Sequence, residues 1–153
     1  MAEGDVSIFN SFIDDLGNGE HDIGGSDVIK IGLVTSSAAP DIDLATPTWS
    51  DFNANECTAG GNYTAEGNTV GSVTWTVDQG NDHTVFDAAD VTIATNASNP
   101  TDARWAILYN DTAASDQAIG FVDLGAVIDL TAGDFAIAWG ANGICRIGLG
   151  TLS

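Results

Sequence analysis

Short segments in which apolar and polar residues alternate, separated by turn-forming residues, constrain the fold of this chain more than any other feature. In the segment 28–35, Ile29, Ile31 and Leu33 fall on one side of an extended chain, and Lys30 falls on the other. Alternation with a period of two is typical of a β-strand with one buried face. Together with 28–35, comparable segments predict about eight strands: 73–77, 84–86, 90–94, 104–110, 118–124, 134–140 and 144–149.

These strands predict an all-β fold, a single-domain β-sandwich that is jelly-roll-like, with a short N-terminal helix and a long irregular loop. A chain of 153 residues is long enough to bury one core without disulfides or metals. Residues 1–6 are predicted to form a polar N-terminal arm, and residues 7–153 the domain.

Residues 7–17 are predicted to form the one helix. Ser7 can cap its start, Gly17 and Gly19 can end it, and the apolar residues between them recur at helical spacing. The resulting stripe must be buried on its own domain or on a neighbouring subunit. Its members are Ile8, Phe9, Phe12, Ile13 and Leu16.

The segment 38–67 is rich in Pro, Asp, Asn and Gly and is predicted to be a long loop that its aromatic residues pack down. Trp49 and Phe52 lie in this loop and are predicted to anchor a partner. The other tryptophans sit on strands beside Val or Ile and are predicted to lie in the core. They are Trp75, Trp105 and Trp139.

The formal net charge of -19, from 22 acidic and 3 basic residues, restricts the partners of this chain. Binding to phosphate backbones and to anionic membranes depends on Lys and Arg, so we expect neither nucleic acid nor membrane as a partner. Molar salt shortens the Debye length to roughly 3 Å and would screen the repulsion between surface carboxylates. The composition therefore suggests a halophilic source, with ordinary acidic solubility as the alternative.

Residues suited to catalysis are scarce. His21 and His83 lie in polar, turn-like segments and are predicted to be exposed, while Cys57 and Cys145 are predicted to be small buried hydrophobes. The sequence lacks the motifs of common hydrolases, phosphate-binding loops and zinc proteases, so we predict no enzyme and no required cofactor. Calcium binding by the acidic loops 78–82 or 41–43 is an alternative to solvated turns.

An ordered series of segments resembles a family of small, mostly uncharacterised virion structural proteins of tailed phages. No single motif is specific, and the run that begins Tyr63-Thr64-Ala65 follows Gly-Asn where the family has Gly alone. The resemblance implies a structural place on the particle and supplies no catalytic residues. The segments are 9–12, 16–22, 29–37, 63–70, 86–92, 103–112, 119–125 and 135–139.

These observations predict a decoration or cement protein that binds the major capsid protein on the outer surface of a virus head, as a homo-oligomer, with a trimer favoured. The start of the chain lacks a signal-peptide pattern, so we expect synthesis in the host cytoplasm. A tail, baseplate or fibre component is one alternative, and a carbohydrate-binding module for host attachment is another. The predicted contact residues are Ile8, Phe9, Phe12, Ile13, Leu16, Trp49 and Phe52.

Overall fold

A computed structural model describes residues 5–148, which form ten β-strands, one α-helix and two 3₁₀ turns. The strands are β1 (Val6–Ile8), β2 (Ile29–Val34), β3 (Asn68–Thr69), β4 (Thr74–Asp78), β5 (His83–Asp87), β6 (Val91–Ile93), β7 (Ala103–Asn110), β8 (Ala118–Ile128), β9 (Phe135–Ile137) and β10 (Cys145–Gly148). The helix α1 spans Ser11–Asn18, and the 3₁₀ turns span Trp49–Asp51 and Asn53–Asn55. The fold is therefore mostly β, as predicted.

The strands form three antiparallel sheets. The largest has the order β1-β8-β7-β2-β3, a second has the order β10-β5-β4, and β6 pairs with β9. Side chains from all three sheets meet in one main core, which includes Ile31 of the large sheet, Phe86 of the second and Ile93 of the third. The large sheet thus packs against the two small sheets through this core.

The large sheet is buried on both faces. On β7, Ala106 and Leu108 point into the main core, whereas Ile107 and Tyr109 point into a second cluster on the opposite face. That cluster, which we call the outer cluster, consists of Phe9, Val34, Trp49, Phe52, Ile107, Tyr109, Ala118 and Phe121. The long loop therefore folds over the outer face of the sheet, as its aromatic residues predicted.

The N-terminal prediction was wrong in its boundaries. Val6, assigned to the arm, lies in β1 and pairs with Val122, and Ser7 is a strand residue instead of a helix cap. The helix begins only at Ser11, after Asn10, and ends at Gly19 in the left-handed conformation, as predicted. Pairing with the edge of β8 satisfies backbone hydrogen bonds and outweighs the local helical spacing. Residues 1–4 of the predicted arm lie outside the described residues.

Candidate docking surface

Most residues predicted to contact a partner lie inside the molecule. Phe9 and Phe12 are fully buried, and Trp49 and Phe52 are almost so. Ile8 and Leu16 are half-buried and pack against the main core. Only Ile13 offers a largely exposed side chain, with 53% of its surface accessible. The helix stripe is thus mainly intramolecular, which was one of the two alternatives.

Trp49, which the sequence predicted to anchor a partner, is buried and anchors the long loop on its own sheet. Its indole stacks on the Tyr109 ring at 4.9 Å between centroids and 5° between planes, and it covers Gly32. Its backbone N–H donates to the Asp116 carbonyl at 2.9 Å. The three tryptophans assigned to the core are half-buried and pack against the main core or the outer cluster. They are Trp75, Trp105 and Trp139.

Residues 39–46, here called the docking loop, are fixed to the fold at their middle and just past their end. In its middle the Ile42 carbonyl accepts from the Asn10 N–H at 3.1 Å, and the Asp43 carboxylate accepts from the Asn10 side-chain amide at 2.7 Å. Immediately after it, the Pro47 carbonyl accepts from the Ala118 N–H at 2.9 Å. Trp49 then enters the outer cluster. The loop is therefore held in place by the helix, by β8 and by a buried ring.

The docking loop combines backbone strain with exposed apolar side chains. Ala39 and Thr46 have φ angles of 39° and 46°, a region that is unfavourable for a β-branched residue such as threonine. Between them, Ile42 and Leu44 expose 39% and 40% of their side chains. Strained residues cost about 1–3 kcal/mol each and tend to mark functional segments. The loop is consequently the strongest candidate for a contact surface.

The segment 44–48 forms the wall between two hollows. Leu44, Ala45 and Pro47 line the first, of about 320 Å³, together with Ala38, Ala39, Asp51 and Phe52; we call it the apolar hollow. Thr46 and Thr48 line the second, of about 330 Å³, together with Asp14, Asp15, Asn18, Glu20, Ser115 and Gln117; we call it the acidic hollow. Neighbouring residues of one short segment thus face an apolar and an acidic site.

Asp15 gives the acidic hollow its unusual electrostatics. It is 6% exposed, and its Oδ2 atom has no hydrogen-bond partner among the described residues. Burial raises the pKa of this carboxyl, and the charges of Asp14 and Glu20 raise it further, whereas His21 and the Ser11 hydroxyl lower it. No Lys or Arg among residues 5–148 pairs with these acids. The hollow therefore lacks a counter-charge within the described chain.

His21 is buried, contrary to the prediction from its polar neighbours. It is 7% exposed, its ring lies 5.2 Å from that of Phe12, and its Nδ1 is 3.0 Å from the side-chain nitrogen of Asn110. Burial lowers the pKa of His21, although the charges of Asp15 and Asp27 oppose this effect. The imidazole is a packed core group at neutral pH.

Both cysteines are free thiols; Cys57 is buried, as predicted, whereas Cys145 is only half-buried. Burial raises the pKa of Cys57 to about 12 and that of Cys145 to about 11, so both remain thiols at neutral pH. Low-pKa thiolates are the reactive form of cysteine. These two residues therefore act as apolar packing groups.

Both loops considered for calcium use carboxylate oxygens within their own turns. Asp78 accepts from the Gly80 N–H at 3.1 Å and from the Asn81 amide at 2.8 Å, and Asp41 accepts from the Asp43 N–H at 3.0 Å. Across residues 5–148, no three His, Cys, Asp or Glu side chains are grouped closely enough to chelate an ion.

Among the helices of the described residues, none has the length and apolar character needed to cross a membrane. Comparisons with protein-family models, with curated proteins and with solved structures find no match to this chain.

Proposed function

We propose that this chain is a virion structural protein, a decoration or cement protein that binds the outer surface of a tailed-virus head and stabilises the shell. The observation that carries the proposal is the docking loop, which presents Ile42 and Leu44 to solvent on a strained and anchored backbone. A preorganised apolar surface suits binding because little conformational entropy remains to be lost. The sequence resemblance to small phage virion proteins agrees with this role.

The charge of the chain supports the same proposal. With a net charge of -19, the surface outside the docking loop repels other copies in solution and keeps particles dispersed. A protein that binds only the assembled lattice stabilises that lattice by mass action and needs no chemical step. We further propose a jelly-roll-like sandwich as the finer description of the fold, and a trimer over junctions between copies of the major capsid protein.

The experiment is a binding assay with heads assembled without this chain. Purified protein is added to the heads, and bound copies are counted after sedimentation. Leu44→Asp is expected to weaken binding at least about tenfold, because it places a charge in the apolar contact. The matched control is Val77→Asp, which changes an equally apolar residue that is 63% exposed on the β4–β5 hairpin.

Two results would contradict the proposal. If wild-type protein does not bind heads, the chain is not a head decoration protein. If Leu44→Asp and Val77→Asp bind equally well, the docking loop is not the contact.

The assay also separates the alternatives of a tail component and a carbohydrate-binding module. Hundreds of bound copies per particle are expected for a decoration protein, and a handful for a part of the tail, baseplate or fibre. For sugar binding, Trp49 is unsuited because its ring is buried. The Arg104 guanidinium carbon lies 4.2 Å from the centroid of the Trp105 ring and covers one face of that ring. A sugar would need this face for stacking. The geometry of these two rings therefore argues against a sugar-binding platform at Trp49 or Trp105.

A further inference from the structure

We propose that the docking surface binds a partner segment that places an apolar side chain in the apolar hollow and a Lys or Arg side chain in the acidic hollow. This inference rests on the proposed function for the identity of the partner, the capsid lattice. The chemistry of recognition rests on the geometry of the two hollows alone.

The two hollows are adjacent. Thr46 lines the acidic hollow, and its neighbours Ala45 and Pro47 line the apolar hollow. A partner segment that crosses residues 45–47 can therefore reach both sites with side chains a few residues apart. The hollows measure about 320 and 330 Å³, which is large enough to take one long side chain and lies at the lower limit for a small-ligand pocket.

The acidic hollow carries carboxylates that no Lys or Arg of the described residues pairs with. Asp15 has a buried oxygen with no partner among the described residues, beside Asp14 and Glu20. The hollow also lies at the last turn of α1, where no basic residue stands and where the helix dipole favours a cation. A cation in this position would face two or three carboxylates and the negative end of the helix. A positive group is the complement that the site lacks.

Three sources could supply a positive group to the acidic hollow: a second copy of this chain, a metal ion, or a side chain of a different protein. A second copy of this chain is a poor source, because it carries a net charge of -19. In addition, its Lys30 and Arg104 are held in ion pairs with Asp111 and Asp123, which leaves Arg146 as the one exposed Lys or Arg among the described residues. A chelated metal ion needs several preorganised ligands, and residues 5–148 contain no such group of three. A side-chain guanidinium or ammonium binds one or two carboxylates and tolerates this looser arrangement. The occupant is therefore a Lys or Arg of a different protein.

The test begins with a small probe that does not depend on virus heads. N-acetyl-arginine amide is titrated into ¹⁵N-labelled protein, with N-acetyl-citrulline amide as the neutral compound of nearly the same shape. The arginine derivative is expected to give saturable shifts centred on the amides of Asp15, Glu20 and Thr48. Glu20→Lys should reduce its affinity about tenfold, the scale of one charged hydrogen bond, whereas the matched Asp82→Lys on the hairpin turn should not.

Two outcomes of the titration would overturn the inference. In one, arginine and citrulline derivatives shift the same amides equally. In the other, the shifts spread over the whole acidic surface and Glu20→Lys changes nothing. Thermal unfolding of each variant serves as the folding control. Glu20 is exposed, so its variants are expected to fold much as the wild type does. Glu20→Gln is a second, milder variant, and its affinity for the arginine derivative should fall less than that of Glu20→Lys.

Binding to heads then distinguishes this inference from the proposed function. Glu20→Lys is expected to weaken head binding about tenfold more than Asp82→Lys, and added salt should weaken wild-type binding. If the arginine derivative binds at the acidic hollow but heads are not bound, the decoration function is wrong and the site chemistry stands. If heads bind wild type, Glu20→Lys and Asp82→Lys equally, the decoration function stands and the inference is wrong.

Discussion

The contact between Gly32 and Trp49 provides a sharp test of how the long loop is anchored. A Cβ atom added at Gly32 would lie 2.3 Å from Cη2 and 2.5 Å from Cζ3 of the indole. Separations this short force a shift of the ring, because Trp49 is buried and stacked on Tyr109. Gly32→Ala is therefore expected to push Trp49 out of the outer cluster.

The expected cost follows from two contributions. Overpacking of a core by one methyl group costs about 1–3 kcal/mol, and loss of an aromatic stack costs about 0.5–1.5 kcal/mol. Alanine is more favourable than glycine within a strand, which offsets this cost by about 0.5–1 kcal/mol. The free energy of unfolding should fall by about 0.5–4 kcal/mol, which lowers the melting temperature by roughly 1–16 °C for a domain of this size.

Urea and thermal unfolding, followed by circular dichroism, measure this change. The matched control is Gly71→Ala, where an added Cβ meets no atom within 4 Å, so stability should be unchanged or slightly higher. In the double variant Gly32→Ala with Trp49→Phe, the smaller ring should relieve the clash and make the loss less than additive. Equal stability of Gly32→Ala and Gly71→Ala would refute the packing of Trp49 on Gly32.

Two further expectations concern salt and pH. Because the net charge is -19, the melting temperature should rise from low to molar NaCl as screening reduces self-repulsion; an unchanged or falling melting temperature would exclude salt adaptation. The lowered pKa of His21 means that the unfolded chain binds its proton first as pH falls below 6.5. Stability should therefore fall on acidification through this range, by at most about 1.4 kcal/mol per pH unit. In His21→Gln this contribution should vanish, which urea unfolding from pH 5 to 8 would show, and an unaltered pH slope would contradict it.

Local patterns predicted the strands whose partners lie nearby or whose faces alternate clearly. β2 and β7 were placed from alternation alone, and the β4–β5 hairpin from its polar turn. β1 was missed because its three residues are extended only by pairing with Gly120, Phe121 and Val122, more than a hundred positions away.

The candidate site was less predictable, because burial depends on contacts between distant segments. Trp49 of the long loop stacks on Tyr109 of β7, and His21 contacts Asn110, 89 positions away. The spacing of residues along the sequence does not predict these contacts. The acidic hollow likewise assembles from residues near positions 14–20, 46–48 and 115–117, none of which stands out in a chain with 22 acidic residues.

An electron-microscopy map of the intact virus particle tests the central proposal most directly. We expect the chain in many copies on the outer surface of the head, with Leu44 and the acidic hollow turned towards the shell and a Lys or Arg of the capsid protein beside Asp15 and Glu20. Density for the chain only at the tail, or on the head with the docking loop turned to solvent, would contradict this account.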